Sequence, residues 1–340
     1  MTARLPMNNA CRRTGPARWL LACLATLGAV LSAPSAVLAQ AAYPVSSIKL
    51  IIPVPPGSAA DLIGRLVARR LGDALGQTII VENVGGATGT IAAQQVARAK
   101  PDGYTLLLSS STTHGTAPAA FRSLPYDPIE SFTHIRLLAT VPAVAVVNKS
   151  LPVNSIQELV AYSKAYPDRL NYGSSGNGSP LNFWAEMFKQ ASGASPNHVP
   201  YKGSGPAVTD LIAGRIQVMF DGLPAQISNI EAGNTRALAV LHQQRLFALP
   251  DTPTMPELGY PTVLGGLWYG VSGPAGLDPA VAERLDLELK KIGDQPVFED
   301  ALRSRGILQT SLSRGDYAAF IAAENEKYRR IAKIAGMQPE

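Results

Sequence analysis

Four short runs of small polar residues hold the chemistry legible in this chain: "PVPPGSAAD" (53–61), "SSSTTHGT" (109–116), "NYGSSGNGSP" (171–180) and "YKGSGPA" (201–207). The first three hold no Lys or Arg, and Lys202 is the lone cation in the fourth. Glycines such as Gly176 and Gly178 can take positive φ and let backbone come close to a ligand. Ser174, Ser175 and Asn177 add neutral hydrogen-bonding groups. The chemistry such runs perform is anion binding without cations. The first amides of a helix have no internal partner, and the aligned dipoles place positive charge there. Ser179 can cap a helix with Pro180 at its first position, and Ser58 can cap another with Asp61 three residues on. Each helix end supplies about 0.3–1 kcal/mol when exposed and up to about 2 when partly buried. Three together reach micromolar-class binding of a small carboxylate. The same runs would also serve as plain caps with no ligand. Asp221, after "VMF", is either a solvated loop residue or a ligand acceptor, and Trp268 and Tyr269 either line a cleft or fill a core.

Other chemistries lack their residues. No G-x-S-x-G elbow is present: Ser175 has Gly173 before it but Asn177 after. His114, His134, His198 and His242 show no metal-ligand spacing, so no metal site and no cofactor are expected. "VGGATGT" (84–90) is neither a dinucleotide fingerprint nor a P-loop. The chain reads as a non-enzyme.

The elements that must position these runs alternate. Strands are expected at 48–54, 78–83 and 104–110, with helices at 59–75 and 88–100 between them. In the first helix Leu62, Ile63, Leu66, Val67, Leu71 and Leu75 share one face, opposite Arg65, Arg69 and Arg70. A second set begins with strand 143–148 and helix 155–167, which Ser155 caps. Strands 170–175, 197–203, 216–222 and 235–241 and helices 181–193 and 206–214 follow, and helices 278–292 and 313–336 end the chain. This order implies parallel strands with right-handed crossovers, in two α/β lobes joined by more than one crossing. The polar runs then fall at strand carboxyl ends, where ligands bind in such sheets.

Composition agrees. Of 340 residues, 46% are hydrophobic and 16% charged, ample for a core. Four of the 30 Lys and Arg (Arg4, Arg12, Arg13 and Arg18) lie in the first forty residues, which hold no acid. The remainder has 26 basic against 25 acidic residues, too even a balance for a nucleic-acid partner. The first 39 residues read as a signal peptide: a basic start, the apolar run "WLLACLATLGAVL" (19–31), and small residues around a cleavage point after Ala39. Arg12-Arg13 leaves the twin-arginine route as the alternative to ordinary secretion. Both cysteines, Cys11 and Cys23, fall in this segment, so the mature chain has no disulfide or thiolate.

From Tyr43 to the C-terminus the chain resembles the Bug family, the extracytoplasmic solute receptors of tripartite tricarboxylate transporters. The resemblance rests on "IKLIIPVPPGSAADLIGRLVARRLGDALGQTIIVEN", "PDGYTLLL", "LPYDPIESF", "LNYGSSGNGSP", "HVPYKGSGPAVTDLIAGRIQVMFDG", "RALAV" and "LPDTPTMPELGYP". It implies a two-lobed periplasmic-binding fold of the Venus-flytrap type, each lobe a mostly parallel sheet flanked by helices. Residues 43–141 with 267–340 would form one lobe and 142–266 the other, with hinge strands near 139–146 and 262–272. It also implies a periplasmic, monomeric receptor that grips a small carboxylate by backbone amides and ordered waters and hands it to membrane permease subunits. Carried over by position, the ligand residues are Pro55, Gly57 and Ser58; Ser111, Thr112 and Thr113; and Ser175, Asn177 and Gly178, with Asp221 facing the cleft. The family usually has an aromatic at Val54, a second glycine at Ser58, and Arg-Pro-Gly-Ala-Gly where this chain has Val84-Gly85-Gly86-Ala87-Thr88. Ligand size is thereby in doubt. A sensor kinase in place of the permease is the alternative partner.

Overall fold

The computed structural model describes residues 43–339, and Thr2. The signal-peptide reading, with Cys11 and Cys23, lies outside the described residues.

Apolar runs make the first three strands, β1 (Ile48–Ile52), β2 (Ile79–Asn83) and β3 (Thr105–Ser110). All are parallel, with Leu50 of β1 opposite both Val81 and Leu106. Helix α1 (Ala59–Leu75) packs Ile63, Val67 and Leu71 on this sheet. Gly64 permits the close approach, because a Cβ there would collide with the Ile52 side chain. Gly76, at φ +66, ends the helix in the left-handed conformation glycine favours. Helix α2 (Thr90–Ala97) is shorter than the sequence pattern predicts, because Ala87–Gly89 form a separate tight turn ahead of it.

The second set contains α4 (Ile156–Ala165), β5 (Asn171–Ser174), α5 (Pro180–Ser192), β6 (Asn197–Pro200), α6 (Ser204–Ile212), β7 (Val218–Gly222), α7 (Leu223–Glu231) and β8 (Thr235–Val240). Here β5 runs parallel to β6 and β7. Ser155 caps α4 as expected, its Oγ accepting from Glu158 N at 3.1 Å.

Between the sets runs β4 (Phe132–Asn148), 17 residues long. Its first part pairs antiparallel with β9 (Gly266–Pro274), and residues Ala143–Val147 pair antiparallel with β7. β10 (Leu308–Leu312) pairs with the first part of β4, on the edge opposite β9, and β8 with its last part, on the edge opposite β7. The sheet order is therefore β2-β1-β3-β9-β4-β7-β5-β6, with parallel strands outside and an antiparallel group in the middle. The fold is the two-lobed α/β architecture that the sequence led us to expect, with β4 shared by both lobes. Only 143–148 of β4 was legible, because His134 and Arg136 interrupt its apolar run. Both are buried, and Arg136 is paired with both oxygens of Asp286 at 2.8 and 3.0 Å.

After β3 the chain winds as a wider π-type turn, Ser111–Thr116, into the short helix α3 (Ala117–Ala120). Helices α8 (Pro279–Gly293) and α9 (Pro296–Arg303) precede β10, and α10 (Arg314–Ala335) closes the fold. Tyr317 and Ile321 of α10 pack with Leu137 and Trp268, whereas Tyr328, Ile331 and Ala332 enter the core around Phe183 and Trp184. Trp268 and Tyr269 are core residues, only 2% and 6% exposed.

Candidate ligand-binding site

Three loops of the first lobe meet at Gly89. A Cβ there would lie 3.0 Å from Pro53 O and 3.0 Å from Thr113 Cγ2, so only hydrogen fits between the loops after β1, β2 and β3. Pro55 of the first loop abuts Gly85 of the second. In the first loop Ser58 Oγ accepts from Asp61 N at 3.2 Å, and Asp61 Oδ2 accepts from Gly57 N at 3.0 Å. The amides opening α1, from Ser58 to Ala60, have no intrahelical acceptor. The second loop was not read as a site from sequence. It holds Ala87 at φ 44 and Thr88 at φ 55, flanked by Gly86 at φ 115 and Gly89 at φ 84. Left-handed non-glycine residues cost about 1–2 kcal/mol each and concentrate at functional sites. The glycine pair Gly85-Gly86 was the available signal.

The third loop is the π-type turn, a geometry frequent at functional sites. Ser110 Oγ accepts from Thr113 N at 3.3 Å, and Thr113 Oγ1 accepts in return from Ser110 N at 3.2 Å. Thr113 Oγ1 also meets His114 Nδ1 at 2.9 Å, and Thr113 O accepts from Tyr126 Oη at 2.8 Å. Ser111 Oγ and Thr116 Oγ1 are buried without a partner among the described residues. Burial pushes the His114 imidazole well below its usual range, and the nearby His134 adds to this.

In the second lobe Gly176 and Gly178 take φ of 126 and 64, as the opening of α5 demands. Ser179 caps α5 through Asn182 N at 3.4 Å, with Pro180 in its first turn. Ser174 Oγ accepts from Gly176 N at 3.1 Å and meets His198 Nε2 at 2.6 Å, while His198 stacks on Tyr172. Gly178 N donates to Asn182 Oδ1 at 3.1 Å. Asp221 sits between the starts of α6 and α7. Its carboxylate accepts from Ser204 Oγ at 2.6 Å, Gln226 Nε2 at 2.9 Å and Gly222 N at 2.8 Å. Burial raises its carboxyl above the usual range, against the pull of those three donors. The lobes come together where Gly178 touches Ala120 of α3, so closely that a Cβ on Gly178 would collide with the Ala120 methyl.

These bonds sort the ten residues singled out in the sequence. Gly57 and Gly178 spend their amides inside the protein, Ser58 and Thr113 their side chains, and Asp221 its carboxylate. Pro55 has no amide hydrogen to offer and packs against Gly85. Ser111, Thr112, Ser175 and Asn177 keep side-chain oxygens or amides uncommitted among the described residues. The roles of Asn83, Asn182 and His198, which hold the loops from behind, went unread in the sequence, and Asp61 was read there only as a capping partner of Ser58. Among the described residues no group of three or more His, Cys, Asp and Glu could hold a metal, and no helix is long and apolar enough to cross a membrane.

Amide-rich helix starts on two α/β lobes that share a central strand place the chain among the two-lobed solute-binding proteins. The model for the tripartite tricarboxylate transporter family receptor matches residues 63–337, and the chain belongs to that family. It is 36% identical over 299 residues to protein BugT of Bordetella pertussis, covering 86% of this chain and 90% of that protein. Among solved structures it is similar to an R. palustris protein with adipate, at 34% identity and a TM-score of 0.81, covering 88% of this chain and all of that one. It is also similar to MatC from Rhodopseudomonas palustris with bound malate, at 29% identity and a TM-score of 0.75, covering 85% and 99%.

Proposed function

We propose that this chain is a periplasmic receptor that closes its two lobes on a small organic carboxylate and delivers it to the membrane subunits of a tripartite tricarboxylate-type transporter. One observation carries the reading: Ser111 Oγ is buried and unpartnered at the end of a strand, in a turn packed against other helix starts. A buried hydroxyl left without a partner costs about 1–3 kcal/mol, and a bound carboxylate oxygen relieves that cost. Adipate and malate, bound by the two related structures, support the ligand class. Residues 43–141 with 267–340 form one lobe in this reading and 142–266 the other. Motion is absorbed where β4 and the start of β9 pass between them. The receptor acts as a monomer.

A thermal-shift screen of mono-, di- and tricarboxylates, amino acids and aromatic acids tests it, since a ligand bound only by the folded state raises Tm. Native mass spectrometry of the purified protein would reveal a retained acid. Ser111→Ala and Ser175→Ala should each weaken binding by about 1–3 kcal/mol per lost buried hydrogen bond. No acid shifting the transition would remove the proposal.

A further inference from the structure

We propose that Asp61, acting with Arg65 and Asn83, is a positioning residue for the anion site: a charge-balanced clamp that fixes the loop after β1 against the end of β2. The proposal rests on reading the cleft as a carboxylate site. Asp61 is only 6% exposed, and both its oxygens are used. Oδ2 accepts from Gly57 N at 3.0 Å and Oδ1 from Asn83 Nδ2 at 2.9 Å, while Arg65 Nε lies 3.0 Å from each. An Arg65 terminal nitrogen donates to Asn83 Oδ1 at 3.0 Å, which closes a triangle of side chains. Asn83 Nδ2 also donates to Val54 O at 3.0 Å. The triangle thus holds the backbone on both sides of Pro55-Pro56, at Val54 O and at Gly57 N. Two prolines in between fix φ and remove slack. The loop so held leads directly into the open amides of Ser58, Ala59 and Ala60.

The electrostatics separate positioning from attraction. A carboxylate in the first turn of α1, beside an anion site, repels the ligand. Burial alone would push the Asp61 carboxyl up, but hydrogen bonds from Arg65, Gly57 and Asn83 outweigh this and hold it below its usual range. It is therefore ionised at neutral pH, and the Arg65 guanidinium cancels its charge. Removing the negative charge would, by Coulomb's law alone, free Arg65 and tighten anion binding. A clamp gives the opposite result, because an amide at position 61 cannot accept from Gly57, Asn83 and Arg65 together. The loop then loosens, and the amides of α1 lose their common aim.

The test is calorimetric titration of wild type, Asp61→Asn, Asn83→Ala and Arg65→Gln at neutral pH, with adipate, malate and the wider acid panel as probes. Asp61→Asn and Asn83→Ala should bind about tenfold or more weakly, the effect of losing a charge-assisted hydrogen bond. The residual binding of Asp61→Asn should fall more steeply with salt than that of wild type, because Arg65 is then unpaired. A purely structural lesion would not change that salt slope. Should Asp61→Asn fail to fold, Asn83→Ala carries the same expectation, since it leaves the Ser58 cap intact. Equal or tighter binding by the variants overturns the clamp and leaves the carboxylate reading standing. Wild type binding no acid overturns that reading and the clamp with it.

Discussion

His114 and His134 lie edge to face beneath the Ser111–Thr116 turn, ring centres 5.5 Å apart, with neither Nε2 partnered among the described residues. Tyr126, Phe132 and Tyr317 face them. Burial lowers His134 from 6.5 to about 4, although the Pro128 carbonyl opposes the shift. Its folded pKa lies below the unfolded one, so folding expels a proton. The stability this gives is complete above about pH 6.5 and is lost as pH falls towards 4. For His134 alone the loss between pH 7 and pH 5 is about 2 kcal/mol. Urea melts at the two pH values check it: His134→Phe should lose less stability on acidification than wild type, by about that amount. At this scale the sequence was read well for caps. Ser58, Ser155 and Ser179 each accept from the amide three residues on, as their spacing foretold. It was read poorly for direction. The amides of Gly57 and Gly178 point inward, and only the three-dimensional placement of Asp61 and Asn182 decides that.

At the scale of elements, the helix starts are held by glycines whose neighbours differ. Gly178, at φ 64, faces Ala120 across the lobes, whereas Gly203, at φ 109, has open space around its missing Cβ. Gly203→Ala should therefore cost backbone strain alone, about 1–2 kcal/mol. Gly178→Ala adds a methyl–methyl collision that pushes α3 and α5 apart, so it should also weaken ligand binding. Paired denaturation and binding measurements on the two variants distinguish these effects. The parallel strand–helix units were legible because each apolar run is short and bounded by turn residues. The π-type turn was not, because "STTHGT" has no apolar period and its shape is imposed by the Tyr126 hydrogen bond to Thr113 O and by the Ser110–Thr113 bonds. The strained Ala87-Thr88 pair was invisible for a similar reason: nothing in residue type marks an alanine or threonine as left-handed.

At the scale of the molecule, α10 runs along both lobes. Its Tyr317 end packs near β9 and its Tyr328 end against α5, where Trp184 Nε1 donates to Tyr328 Oη at 3.4 Å. Gln190 Nε2 donates to Ile331 O nearby, at 3.2 Å. Tyr328→Ala should cost about 3–5 kcal/mol, the usual range for a large buried ring, as read from chemical denaturation. The general architecture could be argued from the order of elements, but the path of α10 and the shared strand could not, since both depend on contacts far apart in the chain. The shared strand has a thermodynamic outcome of its own. Along β4 the first part is bonded to β9 and β10, one on each edge, and the last part to β7 and β8, one on each edge. Melting either lobe would strip hydrogen bonds from a ribbon that the other still needs. Scanning calorimetry should accordingly give a single endotherm, with van't Hoff and calorimetric enthalpies equal. Any bending between the lobes would then twist an intact ribbon, and its travel would be bounded by the elasticity of one continuous polypeptide segment.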